Sequence, residues 1–223
     1  MFDVIKNHPR PSQELLDAFS KLQPAAINEA MGKRGALNSD IRPAWFGAHL
    51  CGSALTIKAA PGDNLMLHKA VSIAQPGDVL VVDMDGFTEC GPWGEIITKA
   101  AMKAGITGIV TNGSVRDTEP IHELGFPMFS RGCCMKGTTK MKAGKINNPI
   151  VIGNIQVNAG DIVVADNDGV VVVPLEEAEA VLKATQEKEA AEAKIMDRVM
   201  AGECTMDILN IRAAYEALGL TED

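Results

Sequence analysis

The chain has 223 residues, 46% of them hydrophobic, which is enough length and apolar material to bury one substantial core. A formal net charge of −8 without a dense basic run excludes a general nucleic-acid surface, and 4% aromatic content leaves little on which bases would stack. No apolar run approaches the roughly 20 residues of a membrane span, and the opening MFDVIKNHPRPS has no signal-peptide pattern, so a cytoplasmic location is the default expectation.

Ser12 is placed to cap a helix over residues 13–22, with Leu15, Leu16, Phe19 and Leu22 at helical spacing. Pro24 opens a second helical stretch that Gly32 closes, and its polar members Asn28 and Glu29 are expected to be structural hydrogen-bonders. Residues 52–59 read as a strand. The turn Pro61-Gly62-Asp63-Asn64 follows, with Asp63 or Asn64 as the cap of a helix over 65–74. His68 lies about one turn inside that helix, and a lone histidine there is expected to be structural. Val79-Leu80-Val81-Val82-Asp83 has the continuous apolar character of a strand buried on both faces. The Asp83-Met84-Asp85-Gly86 stretch superficially suggests a calcium loop, but it lacks the later bidentate Glu and the paired flanking helices.

The most informative stretch is residues 91–131. Ile96, Ile97, Ala100, Ala101 and Ala104 predict a helix that Gly105 stops, and the β-branched residues 106–111 predict a buried strand. Beyond that strand, Arg116-Asp117 sets a cation beside a carboxylate where α/β proteins place ligands. Glu95 precedes Arg116 by twenty-one positions, so one helix and one return strand bring the Gly94-Glu95 turn and the Arg-Asp pair to one mouth. The free N–H groups around Gly94, Glu95, Ile96 and Ile97 suit a substrate carboxylate. Glu95 and Asp117 suit a hard divalent cation such as Mg²⁺, and Arg116 suits an enolate or a second carboxylate.

Farther on, Lys140, Lys142 and Lys145 form a locally basic rim or a solvated loop. Residues 149–152 and 155–157 read as short strands, and Asn167-Asp168-Gly169 is a hairpin turn between two apolar strands. Residues 175–201 read as one long helix closed by Gly202, and residues 206–218 as another amphipathic helix. The five cysteines Cys51, Cys90, Cys133, Cys134 and Cys204 show neither C-x-x-C spacing nor a zinc pattern, and are expected to be reduced and mostly buried. Strands alternating with helices, followed by a hairpin of buried strands, give an α/β class with a mixed sheet.

Gly94-Glu95, the gap to Arg116-Asp117, the HELGFPMF stretch and GDIVVADNDGVVVVP together resemble the class II pyruvate aldolases. More narrowly, the chain resembles the 4-hydroxy-4-methyl-2-oxoglutarate / 4-carboxy-4-hydroxy-2-oxoadipate aldolases, within the wider RraA-like family of the regulator of ribonuclease E activity A. The resemblance implies a layered β/β/α swivelling-domain fold in three parts. These are an N-terminal helical segment (1–24), an aldolase domain (25–174) and a C-terminal helical extension at a subunit interface (175–223). It implies a 2-oxo acid substrate, Mg²⁺ or Mn²⁺, a homotrimer or homohexamer, and oxaloacetate decarboxylation as a side activity. Asp117 would hold the metal directly, and Glu95 would hold it through water where the family commonly has Asp. A glutamate from a neighbouring subunit, Glu192 or alternatively Glu189, would also act through water, and Arg116 would stabilise the enolate. The same resemblance leaves open a non-catalytic regulator that binds ribonuclease E, or a lyase with a different oxo acid.

Overall fold

The computed structural model describes residues 3–220; the outermost residues of the two expected terminal segments, 1–2 and 221–223, lie outside them. The chain begins with α1 (Gln13–Phe19), whose cap Ser12 accepts the Leu15 N–H at 3.2 Å, and α2 (Pro24–Ala30), which starts on proline. It continues through β1 (Arg42–Pro43), β2 (Leu50–Lys58), α3 (Leu65–Val71), β3 (Asp78–Asp83), α4 (Glu95–Lys103), β4 (Gly108–Thr111) and β5 (Ser114–Val115). Then come α5 (Thr118–Glu123), β6 (Met128–Ser130), β7 (Gly132–Cys133), β8 (Lys145–Ile146), β9 (Ile150–Ile152), β10 (Ile155–Val157), β11 (Ile162–Asp166) and β12 (Gly169–Val173). A 3-10 turn (Leu175–Glu177) leads into α6 (Ala178–Met200), followed by α7 (Thr205–Ile208) and α8 (Arg212–Ala217).

The main sheet runs β1-β6-β4-β3-β2-β11-β12, and β8 also pairs with β2. Strands β2, β3, β4 and β6 are mutually parallel, whereas β1, β8, β11 and β12 join antiparallel. The parallel strands are the continuous apolar runs, as both of their faces are covered, and every residue of β3 is buried. On one face Leu55, Ile57, Leu80, Val82 and Ile109 meet Leu67, Ile97 and Ile121 from α3, α4 and α5. On the other, Ala54, Val79, Val81 and Val110 meet Ile150, Ile152 and Val157 of the β9–β10 hairpin. These three tiers are the β/β/α layering.

Strand β11 shows the two-residue alternation of a strand covered on both sides. Val163 and Ala165 join the hairpin side, while Ile162 and Val164 pack with Phe19, Ile27 and Val181 of α1, α2 and α6. The β11–β12 turn holds Asn167 and Asp168 between the paired Asp166 and Gly169. Arg42 Nη1 then donates to the Asp168 carbonyl at 3.1 Å, drawing the two ends of the strand order together into a nearly closed sheet. Ahead of α1, Arg10 pairs with the fully buried carboxylate of Asp78, which also accepts the Gln75 N–H at 2.8 Å.

Two expectations are corrected. The single helix expected over 206–218 is two short helices, α7 and α8, because Asn210 takes a positive φ of 54° and breaks the run. The cysteines are all free, but only Cys90 is buried; Cys51 and Cys134 are half-buried, and Cys133 and Cys204 are exposed on a loop-edge strand and a helix cap. No helix among the described residues is long and apolar enough to cross a membrane.

Candidate active site

The loop leaving β3 delivers Gly91-Pro92-Trp93-Gly94 to the start of α4, and the segment leaving β4 delivers Arg116-Asp117 onto the same turn. The Arg116 N–H donates to the Trp93 carbonyl at 2.8 Å, while the Cys134 N–H donates to the Val115 carbonyl at 2.9 Å and holds the segment from behind. Asp117 takes the left-handed conformation, φ 55° and ψ 39°, which an aspartate tolerates and which turns its side chain back over α4. Its Oδ2 accepts the Glu95 N–H at 3.0 Å, capping the positive end of the helix. Glycine is required at position 94, since a Cβ there would lie 2.5 Å from Asp117 Oδ2 and 2.9 Å from Arg116 Nε.

Arg116 Nε lies 3.7 Å from Asp117 Oδ2, beyond hydrogen-bond reach, and is buried without a partner. It borders a cleft of about 150 Å³ whose other walls include Asn64, His68, Ile96, Ile97 and Lys140. Asn64 donates to the Pro92 carbonyl at 2.9 Å, while its Oδ1 is buried with no partner. Burial, then the charge of Lys140, lowers the pKa of His68, which is therefore neutral at pH 7. Buried donors and acceptors are normally paired, so two orphans beside one cleft make it the candidate ligand site.

The residues singled out from sequence are distributed as follows. Gly94, Ile96, Ile97, Arg116 and Asp117 line one cleft, and the Glu95 N–H is bonded to Asp117 beside it, but the Glu95 side chain is not among the walls. The Glu95 N–H is not free as expected, because Asp117 occupies it; Ile96 and Ile97 supply the remaining first-turn donors. The Glu95 carboxylate pairs with Lys99, one turn along α4. Glu192 and Glu189 do not line the cleft of their own chain. Glu192 pairs with Lys188 at 2.8 Å, Lys188 also holds Glu29 at 2.6 Å, and Glu189 accepts the Gln23 N–H at 3.1 Å at the start of α2.

Sequence reasoning gave Asn64 only a capping role and set His68 aside. The Pro-Gly-Asp-Asn turn signal was visible, but the partners of these residues lie some 30 to 80 positions away.

A larger polar depression, about 470 Å³, opens near the carboxyl ends of β3 and β4 and just beyond β6. Here every charge has an opposite partner, two cations serving three carboxylates. Asp83 accepts from Lys58 at 2.7 Å, from Asn112 at 2.8 Å and from the Asp85 N–H at 2.9 Å; Lys58 also pairs with Asp85, and Arg131 pairs with Asp40 at 2.7 Å. Burial lowers the pKa of Lys58, but the two aspartates outweigh it and raise the value overall, so this amine stays protonated and is a poor Schiff-base nucleophile.

Among the described residues of one chain, no three His, Cys, Asp or Glu side chains gather as a metal cage. Asp117 nevertheless offers one hard carboxylate whose Oδ2 is engaged and whose Oδ1 remains to bind. That donor set fits a cation of the Mg²⁺ kind, which takes one or two carboxylates and completes its shell with water and substrate oxygens.

The family profile "RraA-like: Aldolase/RraA" matches residues 13–172. The chain belongs to the RraA-like family. A relative from Halalkalibacterium halodurans named "Putative 4-hydroxy-4-methyl-2-oxoglutarate aldolase" is 35% identical over 192 residues, covering 84% of this chain and 91% of that protein. A crystal structure of an uncharacterized protein from Pseudomonas syringae pv. tomato superposes with a TM-score of 0.81 at 29% identity, covering 89% of this chain and 93% of the other. Streptomyces coelicolor RraAS2, called an unusual member of the RNase ES inhibitor RraA protein family, superposes with a TM-score of 0.74 at 28% identity, covering 85% and 99%. The RraA-like match ends just before the last residue of β12, so α6, α7 and α8 lie beyond it.

Proposed function

We propose that this RraA-like chain is a divalent-metal-dependent aldolase. Its substrate would be 4-hydroxy-4-methyl-2-oxoglutarate or 4-carboxy-4-hydroxy-2-oxoadipate, cleaved to pyruvate and a second oxo acid, with oxaloacetate decarboxylation as a side activity. The observation that carries this reading is Arg116, paired with Asp117 over the start of α4 while its buried Nε has no hydrogen-bond partner.

The substrate C1 carboxylate docks on the free N–H groups of Ile96 and Ile97, at the positive end of the helix. Arg116 donates to the C2 oxygen and gains strength as negative charge develops there. The C4 hydroxyl proton leaves through water to the carboxylate of Glu95, at the first position of α4 beside the cleft. As C4 becomes a carbonyl, the C3–C4 bond breaks and its electron pair forms the pyruvate enolate under Arg116; protonation at C3 completes pyruvate. Loss of CO₂ from oxaloacetate yields the same enolate. Lys140, on the far wall, offers a cation to the carboxylate at the other end of the substrate.

Mg²⁺ or Mn²⁺ would be held by Asp117, with Glu95 and a neighbouring subunit's glutamate (Glu192, or Glu189) acting through water; when bound it supplies Lewis acidity at the 2-oxo group. This arrangement needs an assembly of copies of the chain, taken here as a homotrimer or homohexamer.

The test is pyruvate release in a lactate-dehydrogenase-coupled assay, before and after EDTA treatment. Activity is expected to vanish on chelation and to return with Mg²⁺ or Mn²⁺, and full turnover by stripped protein would overturn the metal-dependent route. The likeness to RraAS2 favours a second reading, a protein that binds a ribonuclease. Tight ribonuclease capture with no pyruvate from any substrate would establish that reading instead.

A further inference from the structure

We propose that Asp63 is a positioning residue that fixes Lys140 against the cleft, and thereby makes the site select substrates carrying a second carboxylate at the end remote from the 2-oxo group. The proposal rests on the aldolase reading above. It begins with the segment between β7 and β8, which carries Lys140 and has no helix or strand of its own. Such a segment holds a cation in place only if something anchors it.

Asp63 is that anchor. The residue is 2% exposed, and its carboxylate accepts four hydrogen bonds. Oδ2 takes the Thr139 hydroxyl at 2.6 Å, the Met141 N–H at 2.7 Å and the Lys142 N–H at 3.2 Å, while Oδ1 takes the Leu65 N–H at 2.9 Å. Three of the four donors flank Lys140 on both sides, and the fourth belongs to the first turn of α3. The same turn supplies Asn64, whose N–H donates to the Thr139 carbonyl at 3.0 Å and whose orphan Oδ1 faces the cleft. One buried carboxylate therefore locks the wall bearing Asn64 to the wall bearing Lys140.

The chemistry calls for a carboxylate. All four bonds need acceptors, and an amide presents two N–H donors where one oxygen stood, so Asp63→Asn keeps the shape and breaks the clamp. Burial alone would raise the Asp63 pKa, but the bonds from Thr139, Met141, Leu65 and Lys142 hold it at about 2, so the clamp stays ionised throughout the physiological range.

The experiment compares 4-hydroxy-4-methyl-2-oxoglutarate, which has the distal carboxylate, with 4-hydroxy-2-oxopentanoate, which lacks it. Asp63→Asn is expected to raise KM for the first about tenfold, with kcat for both and KM for the second changing by less than about threefold. In a Lys140→Met background, where the cation is already gone, Asp63→Asn should add nothing further. Equal losses on both substrates, or full additivity with Lys140→Met, would reduce Asp63 to a fold staple and overturn the proposal. If Asp63→Asn does not fold, Thr139→Val removes one of the four bonds and should give the same substrate-selective KM rise, about threefold. If the wild type releases no pyruvate, the aldolase reading fails on its own; calorimetric binding of 2-oxoglutarate against pyruvate then judges the clamp. A loss confined to 2-oxoglutarate in Asp63→Asn supports it, and equal affinities in wild type and variant overturn it.

Discussion

The cleft at Arg116 and the depression at Asp83 are both polar, and both lie near the ends of parallel strands, yet they differ in what they leave unspent. At Asp83 each charge is answered within the chain: Lys58 by two aspartates, Arg131 by Asp40. At Arg116 the smaller cavity keeps a buried guanidinium N–H and a buried amide oxygen without partners. Volume ranks the two one way, and unsatisfied hydrogen-bonding capacity ranks them the other. Capacity is the better guide, because a cluster whose groups already have partners gains less by binding than an orphaned group, which recovers its desolvation cost when a ligand arrives.

The sharpest way to break that contrast is Arg116→Ala. Turnover should fall by roughly a thousandfold, while the melting temperature stays within about 2 °C, since the side chain donates no hydrogen bond through Nε that the fold needs. A milder intervention is Gly94→Ala, whose Cβ would meet Asp117 Oδ2 at 2.5 Å and push the Arg-Asp pair off the helix start. Misplacement on the ångström scale should cost about a hundredfold in kcat/KM, read in the same coupled assay.

The mirror experiment belongs to the depression. Lys58→Met leaves Asp83 without its cation, so denaturant unfolding should show a loss of about 1–3 kcal/mol while kcat/KM changes less than about threefold. A large activity loss without destabilisation would erase the distinction between the two regions. Confined to acid pH is an effect from Asp63, whose folded pKa of about 2 lies below the ordinary carboxylate value. A depressed folded pKa stabilises above the unfolded value, so its contribution of about 2 kcal/mol is present at neutral pH and is lost between about pH 4 and 2. Asp63→Asn should flatten that part of the stability-against-pH curve.

Much of this was legible in the sequence where the determinant is local. The run 79–83 could only be a doubly covered strand, and Asn167-Asp168 could only be a tight turn between apolar strands. The length of the helix-and-return-strand unit brought Gly94 and Arg116 together, because one such unit fixes the distance between its ends. The rest depends on partners far along the chain or on single backbone angles. Asp63 meets residues 139–142 across a gap of 76 to 79 positions, and nothing in the turn that contains it announces that meeting. Asp117 caps α4 only because its φ is positive, which also removed the Glu95 N–H from the donors expected to be free. The tail broke at Asn210 for the same kind of reason, a conformation that periodicity does not record.

The long α6 carries a separate consequence. Its buried side chains are Ala178, Val181 and Thr185, and Lys188 and Glu189 still touch α2, so within one subunit the turns beyond Glu189 run outward with Met196, Val199 and Met200 exposed. A helical arm of that length is marginal when it must stand on its own propensity. Its outer part is thus held by a smaller reserve of free energy than the sheet it springs from, and on gentle heating it should fray first, while the Arg116 neighbourhood is still intact.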